Sequence, residues 1–219
     1  MKKHFLLLFT ACFVCLPLCG CTNSFDCSGY IESMLDATYK GEFDDYAEFT
    51  GASTQELEAD YEEFITHEAD VLLQFCGITQ EDVIPVELEE EMNELARTLC
   101  SEVQYTVDDS DLGGNVSVTI ESLDIYNTTY DEIYACVQEF VENNNSYAYE
   151  DYTDEEFTEA YLEPLIEILQ EYEEDPTYLD ATTITVSVYQ DEDGAYTISE
   201  EDLSSLYNAL INYTLSDPQ

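Results

Sequence analysis

The chain has 219 residues, of which 51 are Asp or Glu and only 4 are Lys or Arg, for a formal net charge of -47. No basic cluster exists to neutralise phosphates, which excludes a nucleic-acid binder, and attraction to anionic lipid is equally disfavoured. Hydrophobic residues at 45% and aromatics at 13% still place the chain among folded proteins rather than acidic disordered tails.

Met1-Lys2-Lys3-His4 is a short positive segment, and Phe5 to Leu18 is an almost unbroken apolar run. That run is short for a bilayer span and suits the hydrophobic region of a signal peptide. It ends in Leu18-Cys19-Gly20-Cys21, which resembles the bacterial lipobox, where a small residue precedes the cysteine that is lipidated. The resemblance implies residues 1–20 as a signal peptide and 21–24 as a lipidated Cys21 with a short tether; the patterning that follows makes 25–219 a single α+β domain. The implied partner is the membrane, held through a diacyl (palmitate-type) anchor on Cys21. The implied location is the outer face of the bacterial cytoplasmic membrane. Lys2 and Lys3 leave with the leader, so Lys40 and Arg97 stand alone against all 51 acids.

Helices are announced by their caps. The first runs from about Ser28 to Lys40, with Asp26 or Ser28 as cap and Gly41 as stop. Four Ser/Thr-x-x-acid patterns precede apolar helical periods, as a capping box does: Ser53 with Glu56, Thr129 with Glu132, Thr153 with Glu156, and Ser199 with Asp202. Leu88, Met92, Leu95 and Leu99 mark a further amphipathic helix. Pro164 predicts a kink or a restart within the helix that follows Thr153. Two stretches switch to alternation. Val103–Val107 and Val116–Ile120 predict a hairpin around an Asp/Gly loop, and Ile184–Val188 with Ala195–Ile198 predict a second around Asp191-Glu192-Asp193-Gly194. A lone hairpin is marginal in water, so the expectation is one four-stranded antiparallel sheet made of both, under six or seven helices. The order of elements also suggests two loosely similar halves, 25–125 and 126–219, without a residue-by-residue repeat.

Cys27, Cys76, Cys100 and Cys136 follow Cys21. Four cysteines allow three disulfide pairings. Cys76, Cys100 and Cys136 each lie on or beside an apolar helix face, which favours buried thiols instead.

The segment Phe25-Asp26-Cys27-Ser28-Gly29-Tyr30, continuing through Leu35 to Phe43 and ending at Phe49-Thr50-Gly51, resembles the start of small extracytoplasmic lipoproteins of Gram-positive anaerobes. That resemblance carries no catalytic residues. Helices against a curved antiparallel sheet are also similar to cone-shaped α+β folds such as the nuclear-transport-factor-2-like group, an analogy of fold only.

Candidate chemistry is sparse. With Gly194 at the sixth position of a calcium loop, Asp191, Asp193 and Glu200 fall at ligand positions, but Tyr189 stands where the first Asp belongs. The alternating flanks favour a plain hairpin turn. Asp108-Asp109-Ser110-Asp111 poses the same choice. Paired carboxylates suit glycoside hydrolysis, yet among 51 acids a close pair carries no information. His67 suits a general base or, more simply, a boundary histidine beside Phe64 and Val71. Lys40 complements a helix C-terminus. Arg97 pairs with nearby acids or anchors an anionic ligand. Many of the 18 tyrosines, such as Tyr61, Tyr161 and Tyr207, fall on apolar faces and read as core, while Tyr147 and Tyr149, in the loop from Asn143 to Asp151, are the candidates for ligand contact. The reading is a lipid-anchored, non-enzymatic binding or interaction module with no cofactor. The alternatives are a Ca²⁺-responsive surface protein and a carboxylate-dependent hydrolase.

Unpaired acids at this density repel one another, so the folded state gains from ionic screening. The melting temperature is expected to rise between low and moderate NaCl. A flat or falling profile in a thermal melt would overturn that account.

Overall fold

In the computed structural model, which describes residues 25–108, 114–191 and 194–214, short polar side chains set the helix starts. Asp26 caps α1 (Cys27–Leu35) by accepting the Gly29 N–H at 2.9 Å. A π-helical turn, Asp36–Lys40, prolongs it to Gly41, whose φ of 68° ends the helix in the left-handed conformation. After α2 (Asp44–Thr50), Ser53 and Glu56 form a capping box in front of α3 (Thr54–Phe75). Then come α4 (Val86–Ser101), β1 (Gln104–Val107), β2 (Asn115–Glu121) and α5 (Ile125–Asn145). A second capping box, Thr153 with Glu156, opens α6 (Asp154–Glu174). The chain closes with β3 (Thr182–Ser187), β4 (Tyr189–Gln190), β5 (Tyr196–Thr197) and α7 (Glu200–Leu210), capped by Ser199.

Two of the expected starts need correction. α5 begins at Ile125, four residues before Thr129, because Asp124 accepts the Asn127 N–H and is the stronger cap. Thr129 is buried inside the helix, where its hydroxyl donates to the Ile125 carbonyl at 2.8 Å. Pro164 does not restart α6, which runs through it unbroken.

The expected four-stranded sheet is also corrected. The strands form a three-stranded antiparallel sheet in the order β1-β2-β3 and a separate two-stranded ribbon, β4-β5. The first hairpin is as read, with Val107 opposite Val118 and Tyr105 opposite Ile120. The strand expected to fold back on residues 195–198 instead pairs along β2, placing Val186 opposite Val116 and Ile184 opposite Val118. Only Tyr189 and Gln190 remain to meet Thr197 and Tyr196.

The described residues fall into two compact units, each assembled from separate stretches of chain. The sheet unit takes residues up to Phe64, Val103–Ser122 and Leu179–Ile211. One face of its sheet is apolar and carries the buried Val116, Val118, Ile120 and Val186. The other is a surface of Thr106, Ser117, Thr119, Thr183 and Thr185. Packing on this sheet are α1, against β1 and β2, and α7, against β2 and β3. Their buried residues include Ile31, Leu35, Leu206 and Leu210. The π-helical turn reaches β1: Tyr105 donates to Asp36 at 2.6 Å, Lys40 pairs with the same carboxylate oxygen at 2.8 Å, and its ammonium lies 4.2 Å from the centre of the Tyr105 ring.

The helical unit takes Ile65–Glu102, Leu123–Tyr178 and the residues from Asn212. In it α6 packs against both α4 and α5. Its core holds Leu72, Met92, Leu95, Leu99, Leu162, Leu165 and Leu169.

Gly114 has a φ of 79°, and its carbonyl accepts the Val188 N–H at 2.9 Å. A Cβ there would lie 2.6 Å from the Val188 carbonyl oxygen, whereas one at Gly194 (φ 85°) would meet nothing within 4 Å. Left-handed strain alone costs about 1–2 kcal/mol. Gly194→Ala is therefore expected to lose about that much in urea denaturation, and Gly114→Ala distinctly more. Equal losses would show that the β2–β3 approach is not a tight constraint.

Candidate binding surface

α5 is the helix whose sequence and burial disagree most. At 100° per residue, Tyr126, Tyr130, Tyr134, Val137 and Val141 share an arc of about 80°, next to an arc holding Thr129, Ile133, Cys136 and Phe140. A stripe this wide belongs on a core-facing helix. Yet Ile125 and Thr129 are the buried residues of α5. The inner arc meets α6 through Phe140, whose ring lies 5.0 Å from Tyr161 and 5.1 Å from Phe157, both edge-on. Three residues of the outer arc are in solvent, Tyr130 at 43% exposure, Tyr134 at 54% and Val141 at 46%, while Tyr126 and Val137 are half-buried. The tyrosines form a row of stacked rings, with centroids 5.2 Å apart from Tyr126 to Tyr130 and 6.0 Å from Tyr130 to Tyr134. Phe75 closes the row edge-on at Tyr126, and also contacts Tyr213. The acids of α5, Asp131, Glu132, Glu139 and Glu142, all lie outside this outer arc. From Tyr126 to Val141 the apolar flank is about 22 Å long at 1.5 Å per residue.

The base of α5 is held firmly. Asp124 accepts the side-chain amides of Asn127 and Asn212, both at 2.9 Å. Asn212 exchanges backbone hydrogen bonds with Leu123 and Tyr126. The flank is therefore presented on a rigid support, the condition for a contact surface of defined shape.

The residues singled out from sequence separate into two groups. Tyr147 and Tyr149 do flank one turn, after α5. Tyr147 adopts a left-handed φ of 62° and is 77% exposed. Tyr149 is half-buried, stacked 4.7 Å from Phe140 and edge-on to Phe157, so it belongs to the base of the aromatic cluster. Tyr152 is exposed and edge-on to Tyr149. Arg97 is half-buried on α4. Its charge and that of the buried Glu68 act on the Cys100 thiol in opposite senses, and Glu68 accepts the Tyr213 hydroxyl at 3.1 Å. Asp191 spends its carboxylate on the Ala195 N–H at 2.9 Å, closing the β4–β5 turn. Glu200 is the first residue of α7. Asp193, Asp109, Asp111 and the lipobox Cys21 lie outside the described residues. Among the described residues no group of three or more His, Cys, Asp or Glu is placed to hold a metal ion. Burial lowers the His67 pKa, against the pull of Asp70, and favours the neutral ring.

The Tyr126–Tyr130–Tyr134 row went unread in the sequence. Its signal was there, three tyrosines at a spacing of four within a stripe already wide enough for a core helix.

No family model matches the chain, and no curated protein matches it. Among solved structures it is similar to a candidate lipoprotein, ycdA, from Bacillus subtilis subsp. subtilis, with a TM-score of 0.52 and 18% identity. The likeness covers 85% of this chain but 56% of that one, so this chain spans little more than half of its length. At this identity the likeness is one of fold.

Among the described residues Cys76, Cys100 and Cys136 carry unbridged thiols. Cys76, 2% exposed, is pushed up to about 12, chiefly by burial and further by Cys136. Burial also raises Cys100 well above its ordinary value. Cys136 is half-buried and less protected. Since the thiolate is the reactive form, Cys136 is expected to react first with a maleimide in the native state. Cys76 and Cys100 should follow only on unfolding. Labelling of Cys100 at the rate of Cys136, mapped by mass spectrometry, would contradict this packing.

Proposed function

We propose that this protein is a lipid-anchored extracytoplasmic lipoprotein whose folded body acts as a binding module, with the outer flank of α5 as its contact surface. The observation that carries the binding reading is that flank: exposed Tyr130, Tyr134 and Val141, joined by half-buried Tyr126 and Val137, in a chain of net charge -47. Contiguous apolar surface of this kind marks interaction sites. Tyrosine is among the residues that dominate interface energies. The anchor rests on the lipobox at Cys21, and the fold likeness to a candidate lipoprotein agrees with it. No helix among the described residues is long and apolar enough to cross a membrane, so a lipid is the means of attachment that this reading uses.

Both parts are open to one experiment in cells. The wild-type chain is expected in the membrane fraction and to take up an alkyne-tagged fatty acid. Cys21→Ala should lose both properties. In the anchored protein a photo-crosslinking residue at position 134 should give a discrete adduct, and one at position 139, on the acidic side of α5, should not. Retention of Cys21→Ala on membranes would refute the anchor. Equal adducts, or none, from both positions would refute the contact surface.

A further inference from the structure

We infer that the α5 flank docks a cationic polypeptide, one that sets Lys or Arg among apolar anchors; this rests on the binding-module reading above and gives its partner a chemical class. The flank supplies anchoring positions but no charge. Tyr130, Tyr134 and Val141 are exposed along it, and no acid falls in its arc. Its surroundings supply charge of one sign only. Asp131, Glu132, Glu139 and Glu142 are exposed on the rest of α5, and Glu155, Glu156 and Glu159 stand on α6. Across the whole helical unit the basic residue is Arg97.

An occupant must tolerate that rim. A second copy of the chain would bring its own acids against it, and like-charge juxtaposition disfavours that contact. An anionic bilayer meets the same repulsion. A cationic segment meets attraction at the rim and a π surface at the centre. Tyr134 ends the row of stacked rings and offers its ring to a guanidinium or ammonium group. Rim charge speeds association while the apolar centre holds the complex, the usual division of labour at interfaces.

The test uses the full folded chain and two synthetic amphipathic helical peptides that share a leucine face. One carries Lys and Arg on its polar face, the other Glu. By titration calorimetry at physiological salt, the cationic peptide is expected to bind one-to-one. Tyr130→Ser/Tyr134→Ser should weaken it about tenfold or more, a change readable as about 1.4 kcal/mol. Glu139→Gln/Glu142→Gln should cost less than that. Both tyrosines are exposed, so the variant keeps its fold, checked by circular dichroism. Cationic binding unchanged in the tyrosine variant overturns the inference, because diffuse charge attraction then suffices. If the Glu peptide binds as tightly and is lost in the tyrosine variant, the docking face stands and the cationic partner falls. If sedimentation shows a dimer, or flotation shows binding to phosphatidylcholine vesicles, that the tyrosine variant loses, the occupant is a second copy or a membrane and the inference is likewise overturned. If neither peptide responds to the tyrosine variant and no such association appears, both the inference and the contact surface fall together.

Discussion

A chain with 51 acids and 4 bases must stabilise its carboxylates with something other than cations. The structure uses backbone N–H groups. Asp26 and Asp124 cap α1 and α5 directly. Glu56 and Glu156 reach back from the first turn to the cap residue, and these hydrogen bonds hold both carboxyls below their usual range. The remaining helices carry acids in their first turns: Asp44 and Asp45 in α2, Glu87 and Glu89 in α4, and Glu200, Glu201 and Asp202 in α7. Each such acid meets the positive end of a helix dipole and its unpaired donors. The seven α-helices among the described residues provide seven such ends, which lets so negative a chain be helical.

The arrangement has a limit. In some carboxylates farther along the helices, crowding shows instead. Desolvation, with Glu63 and Glu56 nearby, raises Asp60. Desolvation, with Glu102 and Glu174 nearby, raises Glu173. Acids are thus best kept on the outer faces of helices, where water solvates them. Any uncharged stretch of surface stands out against them. The α5 flank is one. Another is the outer face of the three-stranded sheet, where Thr119 and Thr183 hydroxyls lie 3.0 Å apart. The first is apolar and aromatic, the second polar and satisfied by its own neighbours.

How much of this was legible from the residues follows from the range of each signal. Caps are local, so Ser53, Thr153 and Ser199 were read correctly, and the first helix was narrowed to Asp26 or Ser28, of which Asp26 is the cap. Thr129 misled because it satisfies the same pattern as a true cap, while the competing Asp124 lies only five residues upstream. Strand alternation was equally clear, but alternation names a strand and not its partner. Residues 184–187 were free to choose β2, and its longer apolar face won. Surface exposure was the least legible property. A tyrosine row on an amphipathic helix has the same spacing whether it is buried or bare. Only tertiary packing, with α6 engaging one side of α5, separates Tyr149 from Tyr130 and Tyr134.

The edges of the three-stranded sheet carry a further consequence. Strands β1 and β3 form its two sides, and neither Gln104–Val107 nor Thr182–Ser187 contains a charged residue. Most natural sheets guard such edges with a lysine, a proline or a bulge. Here one edge amide, that of Ser187, is occupied by the Asp202 carboxylate at 3.3 Å. Beyond it, the net charge of -47 opposes the approach of a second copy. Net charge thus adds a global contribution to colloidal stability, one that acid or multivalent counter-ions would weaken over the whole surface at once.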